Sequence, residues 1–267
     1  MTTVNALPEP PSGSEAPNTG EEVTLAAMSR VMAALLVDGQ PKETATLANV
    51  VLKQLPRHLA TYEKMLEATW QLRAWSEGEE LGRRLLQADP CNPLAWRSVA
   101  RGVEERGERG QARAIWLRAF EASPYDADIR AGLARTSLSV AEDLSLNQAC
   151  LATLYRRGYR WQFAVLEYRS LVESDRHRAD FLAGLMVSLW RLGARQDAYR
   201  TARHLADRHP YILMAWLVIA ATGDENDRAL GHNPIRSMDP DGEYARRWLR
   251  LDRAPSSEQG ITRLLPS

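Results

Sequence analysis

Five histidines and two cysteines are the side chains in this 267-residue sequence best suited to catalysis or metal binding, and their spacing speaks against both. His204 and His209 stand five apart, off any single helical face. Near a helix C-terminus their cationic forms instead meet the negative end of the dipole. Asp239, Asp241 and Glu243 resemble the opening of a calcium loop, but the other ligand positions and the distal glutamate are missing. A turn that leads into a helix N-cap accounts for them. Cys91 and Cys150 form no C-x-x-C pair and read as free thiols. Gly107 and Gly110 flank Glu108-Arg109 and mark a turn. The sequence contains no phosphate-loop G-x-x-x-x-G-K-[ST], no G-x-S-x-G and no H-E-x-x-H. The expectation is a protein with no catalytic residues, no metal and no cofactor.

One dense basic run remains, Arg156-Arg157-x-x-Arg160-Trp161. It offers contacts for RNA or phosphate, and it serves equally as a charged turn. The chain as a whole is 45% hydrophobic and 25% charged, with a formal net charge of zero. Nucleic-acid and anionic-membrane binders need a basic field that this balance does not supply, so no nucleic acid is expected. The longest apolar run, 211–221, is 11 residues, short of the roughly 20 that span a bilayer. No basic and apolar leader opens the sequence. A cytoplasmic protein with no membrane span is the expectation. Residues 1–20 carry four prolines and few large apolar groups and are expected to be a disordered tail.

The elements that must position these side chains are helices, and they recur. Pro56, Pro90 and Pro124 lie 34 apart, as do Tyr62 and Trp96, and Gly78 and Ala112. Gly39 and Gly107 share one phase of the same period. Within 90–124 one helix carries Leu94, Trp96, Val99, Ala100 and Val103 on a stripe. A second carries Ala112, Ile115, Trp116 and Ala119. A hairpin of two such helices cannot bury both faces alone, so copies must stack. Copies precede it at 25–54 and 59–89. After 127–138 the pattern restarts near 145, about one helix too early. Two further copies follow, with turns at 156–160 and at Gly193. The segment 213–222 is a last first-helix. Pro234 is expected to kink or stop any helix that contains it, and a short helix is expected at 243–251.

The spacing of Trp96, Ala100, Gly107, Ala112, Ala119 and Pro124 resembles the tetratricopeptide repeat (TPR) family over about 25–240. Met32, Leu66 and Met186 depart from it where the family has Gly or Ala, and Arg73 stands in the place of a turn glycine. The resemblance implies an all-α, TPR-like solenoid of antiparallel helix pairs in two short arrays. The first array spans 21–138, with its last helix as a cap. A joint at 139–144 would let the arrays pivot. The second array spans 145–251, and a tail follows at 252–267.

The resemblance also implies a concave groove lined by the first helix of each pair, and a protein or peptide partner held there. Its groove-facing places include Glu63, Glu67, Trp70, Arg97, Arg101, Glu104 and Arg135. An acidic strip thus lies beside a basic one, either open to a partner or closed by cross-helix ion pairs. In the second array the same places hold Arg156, Trp190 and an otherwise largely apolar set. That face either meets a partner or is covered by the C-terminal segment. Trp70 and Trp190 are the candidate anchors. The lysines and asparagines of the family's carboxylate-clamp subclass are absent. The function expected is a non-catalytic scaffold or adaptor. A self-assembling structural protein and an RNA- or phosphate-contacting protein are the alternatives.

Overall fold

A computed structural model describes residues 24–137 and 144–250. The expected N-terminal tail, most of the expected joint and the expected C-terminal tail lie outside the described residues. Thirteen α-helices occupy them: α1 (Leu25–Val37), α2 (Pro41–Gln54), α3 (Leu59–Gln71), α4 (Trp75–Ala88), α5 (Pro93–Glu105), α6 (Arg109–Ala122), α7 (Ala127–Thr136), α8 (Gln148–Arg157), α9 (Trp161–Ser174), α10 (Ala179–Leu192), α11 (Arg195–Arg208), α12 (Leu213–Thr222) and α13 (Glu225–Met238). A π-helical turn, Ala245–Leu249, follows. All but α7 pair as antiparallel hairpins, and successive hairpins stack. The result is the all-α, TPR-like solenoid that the 34-residue period implies.

The period is written into the backbone. Five of the six hairpin turns place one residue in the left-handed region; the α12–α13 turn does not, with Gly223 at φ −76°. Gly39, Arg73, Gly107, Tyr159 and Gly193 take it, with φ from +55° to +89°. Within each array these positions are 34 apart. Within the turn expected at 156–160 the left-handed residue is therefore Tyr159, not the neighbouring Gly158. Gly158 keeps a negative φ at the end of α8. Arg73 and Tyr159 hold a conformation that costs a side-chain-bearing residue about 1–2 kcal/mol, so hairpin geometry overrides local preference there. Between repeats a second device recurs. Tyr62, Trp96, Arg130 and Trp216 each donate a side-chain hydrogen bond to a proline carbonyl six residues earlier, at 2.7–3.4 Å. This explains why large donors stand at that phase of the repeat. Asn92, Asp126, Asn147 and Asp224 cap the helices that follow them by accepting backbone N–H groups.

Side-chain size is matched between neighbouring repeats. Trp116 of α6 is fully buried beneath α7, and the facing residue is Gly132. A Cβ there would fall inside the indole ring. Tyr168 of α9 meets Gly184 of α10 in the same relation. In the second repeat the place of Trp116 is taken by Gly82, and the facing residue is Ser98.

Helix α7 is the unpaired helix that the short spacing implied, ending at Thr136. It packs on α5 and α6, and α6 also carries α8. Across this break Arg178 reaches Glu121 at 2.7 Å, Arg118 reaches Asp180 at 3.0 Å, and Arg157 donates to the Ser123 hydroxyl at 3.1 Å. These contacts oppose the pivoting expected between the arrays. Two further expectations are corrected. Helix α13 runs through Pro234 to Met238; the backbone group that loses its partner, the Leu230 carbonyl, belongs to a well exposed residue. The terminal helix expected at 243–251 is the single π-helical turn.

The matched pair at Trp116 yields a stability test. Gly132→Ala overpacks the indole and should lower unfolding free energy by about 1–3 kcal/mol. Gly107→Ala meets nothing within 4 Å and should cost only the left-handed backbone term, about 1–2 kcal/mol. Urea denaturation that ranks Gly107→Ala as the costlier change would refute the packing account.

Candidate functional site

Tryptophan and arginine meet where the helices of the first array adjoin: Trp70 from α3, Trp75 from α4 and Trp116 from α6 against Arg97 and Arg101 from α5 and Arg135 from α7. Trp70 and Trp75 meet edge to face at 5.2 Å. The Arg97 guanidinium lies 4.1 Å over the Trp70 ring and Arg101 lies 4.7 Å over Trp75. Arg135 lies 5.9 Å over Trp116. Rings hold the guanidiniums in place and attract their charge. The charges are also paired. Arg97 binds Asp128 at 2.9 Å, and Arg101 binds Glu105 at 3.1 Å and Glu104 at 3.4 Å. Glu104 accepts from Arg135 at 2.7 Å and from the Trp116 indole N–H at 3.0 Å. Burial works against ionisation of Glu104, but the Arg135 and Trp116 donors outweigh it and hold its carboxyl below the ordinary value. Trp70, Glu67 and Arg101 stay partly exposed.

At the α3 end the trough is occupied by the chain itself. Glu63 accepts from Asn92 Nδ2 and the Tyr244 hydroxyl, both at 2.7 Å, and from Arg247 at 2.8 Å. His58 stands 3.4 Å from Asp241, and the Ser29 hydroxyl donates to Glu243 at 3.2 Å. The turn that delivers these groups is built on Asp239. Its two carboxylate oxygens accept the N–H groups of Tyr244 and Ala245, both at 2.9 Å. Sequence reasoning reached Glu63, and Asp239 as part of a turn leading into a helix N-cap, but missed Asn92, Tyr244 and Arg247. The signal was present, because Asp239 opens a D-P-D-G-E turn of the kind that caps a helix.

The second-array face is covered as well. Trp190 is 5% exposed, and its indole N–H donates to the Leu249 carbonyl at 3.0 Å. Arg156 is also 5% exposed, 5.4 Å from the Trp248 ring. Neither residue presents itself to a partner as expected; both seat the C-terminal turn. Ala149, Ala183, Val187, Met214 and Leu217 are buried with them. One apolar core therefore joins Leu25 and Leu66 at one end of the chain to Leu213 and Leu249 at the other.

A small buried polar cluster sits where the arrays meet, around Asp89, Cys91, Thr153, Arg156 and Tyr168. Burial, then the nearby Glu63 charge, pushes Asp89 up to about 6. Burial pushes Asp239 up to about 6 and the Cys91 thiol up to about 12. Cys91 is thus a protonated packing group that donates to the Asp180 carbonyl at 3.4 Å, not a nucleophile. Both cysteines are free and buried. Among the described residues no group of three or more His, Cys, Asp and Glu is placed to hold a metal. None of their helices is long and apolar enough to cross a membrane.

No family model matches the chain, and no curated protein matches it. Among solved structures it is similar to YrrB, described as a TPR protein with an unusual peptide-binding site. That likeness has 12% identity over 76% of this chain and 98% of that one, at a TM-score of 0.32. It is also similar to a chain of the APC/C hetero-tetramer Cut9-Hcn1, with 14% identity over 86% of this chain and 49% of that one, at a TM-score of 0.35. Likenesses this distant do not bear on function. The chain is TPR-like by its own register.

Two outcomes follow from this site. Trp190→Ala should lower stability by about 3–5 kcal/mol, because it empties the seat of Leu249; thermal melting close to wild type would contradict that. Asp89, raised in the folded state, contributes stability that is complete below about pH 4 and is lost as pH rises through about 6. Asp89→Asn keeps an acceptor for the Cys91 N–H and removes this loss. It should gain about 1–3 kcal/mol over wild type at pH 7.5 relative to pH 4. An equal difference at both pH values would show that burial does not disfavour the Asp89 charge.

Proposed function

We propose that the chain is a non-catalytic interaction scaffold of the cytoplasm that holds a peptide or helix of a partner protein in its concave trough. One observation carries this reading. The trough already seats a peptide, residues 239–250 of the chain itself, through a carboxylate clasp at Glu63 and a tryptophan seat at Trp190. The adjoining stretch, with Trp70, Glu67, Arg97, Arg101, Glu104 and Arg135, has the same mixture of ring, cation and carboxylate. Tryptophan and arginine are the residues on which interface energy concentrates. A mixed-charge partner segment would exchange the internal ion pairs for external ones, each pair being worth about 0–1 kcal/mol at the surface. The energy of capture would then come from covering Trp70.

A self-assembling protein built on an apolar second-array face has lost its surface, because that face is buried within the chain.

A pull-down from cell extract compares the intact chain with Arg97→Glu/Arg101→Glu. Proteins retained by the intact chain should drop at least tenfold with the variant, at unchanged thermal stability. Retention of the same proteins in equal amount would overturn the trough as the site.

A further inference from the structure

Arg97, Arg101 and Arg135 of the trough are neutralised by neighbouring carboxylates, whereas Arg160, Arg191, Arg195 and Arg250 are among the arginines that are not. Arg191 and Arg250 reach the turn between α8 and α9, where Arg160 lies, from two other parts of the chain. Arg160 lies in the turn itself, between Tyr159 and Trp161, whose rings meet edge to face at 5.6 Å. Arg191, from the end of α10, lies 4.8 Å over Trp161. Arg250, beyond the C-terminal turn, lies 5.7 Å over Tyr159. Arg195 lies 3.6 Å over the Trp190 ring and donates to the Trp190 carbonyl at 3.0 Å. None of the four has a carboxylate within ion-pairing reach among the described residues. The Arg250 charge is felt at Arg191, which, after burial, it further depresses. Arg191 and Arg250 thus bring two cations without a paired carboxylate to the rings of this turn.

An apolar stripe adjoins the cations. Tyr159, Phe163 and Leu166 follow one another at helical spacing and are 63%, 49% and 62% exposed. Tyr155 supports Phe163 from α8, with ring centroids 5.4 Å apart. Three exposed large apolar side chains in a row are a recognition feature when charges rim them. The patch shares Arg250 with the docked C-terminal segment and includes none of Trp70, Arg97, Arg101 and Arg135.

We propose that this patch binds an acidic peptide segment of a partner, its carboxylates on Arg160, Arg191 and Arg250 and its apolar side chains on Phe163 and Leu166. Guanidiniums pinned to ring faces keep their planar forks free for carboxylates. The alternative polyanion, single-stranded nucleic acid, needs open aromatic faces for successive bases and a longer basic track. Here the rings stand edge to face and two of them already carry arginines.

Fluorescence anisotropy tests this with the full chain and a labelled peptide of four Glu-Glu-Leu repeats. A peptide with Gln for Glu and a twelve-uridine RNA are the comparisons. The acidic peptide should bind at least tenfold tighter than either, and weaken as salt is raised. Arg191→Glu/Arg250→Glu should abolish binding, and Arg191→Gln/Arg250→Gln, with unchanged thermal melting, should weaken it at least tenfold. Arg97→Glu/Arg101→Glu in the trough should leave it unchanged. Equal binding of the Gln peptide, binding that survives both Arg191/Arg250 variants, or tighter binding of the RNA would overturn the proposal. So would binding that appears only after residues 251–267 are removed, because the chain's own tail would then be the occupant.

Discussion

A helical hairpin has two apolar faces and can cover only one of them by itself, and this constraint governs the whole molecule. In the middle of a stack each hairpin is covered by its neighbours. At the ends something else must serve. Here the two ends serve each other. The C-terminal turn folds back against α1, α3 and α10, and the clasp at Glu63 fixes it there. The solenoid is thereby closed on itself, and a core that would otherwise be exposed at two ends becomes continuous. Helix α7 is the exception. It has lost its partner, and Ala127, Ala131 and Ala134 stand exposed along it. Small side chains keep the cost of that exposure low.

The second constraint is electrostatic. The chain is rich in arginine, and arginine must be placed without burying unpaired charge. The dominant solution is a tryptophan beneath the guanidinium and a carboxylate beside it, seen at Arg97, Arg101 and Arg135. Stacking orders the long side chain, and the ion pair then costs less entropy to form. The same pairing explains why the acidic and basic strips of the trough balance. At the turn around Trp161 the rings are present and no carboxylate pairs with Arg191 or Arg250.

Much of the architecture was legible in the sequence because its period is physical. Prolines at 34-residue spacing mark carbonyls that need donors, and Tyr62, Trp96 and Trp216 supply them. The missing helix after α7 could be counted. Other features were hidden by tertiary effects. Tyr159 adopts a left-handed backbone next to an available glycine, because the hairpin fixes which position must turn. Pro234 reads as a stop but sits within α13, beside the exposed Leu230. The site was legible only as a set of places. Sequence could assign Glu63, Trp190 and Arg156 to concave faces, but not that residues 239–250 would return to meet them. That return depends on contacts more than 180 positions apart in the chain, and local patterning carries no trace of such a distance. The basic-aromatic run 156–161 was visible, whereas Arg191 and Arg250 joined it only through the fold.

The closure of the solenoid by its own C-terminal turn is the claim on which the other readings rest. Hydrogen exchange at the Tyr244 and Ala245 amides tests it most directly, since both donate to the buried Asp239 carboxylate only when the turn is docked. Closure predicts protection comparable to the central amides of α3 and α10. Exchange at these two amides as fast as in an exposed loop, with α3 and α10 still protected, would contradict it.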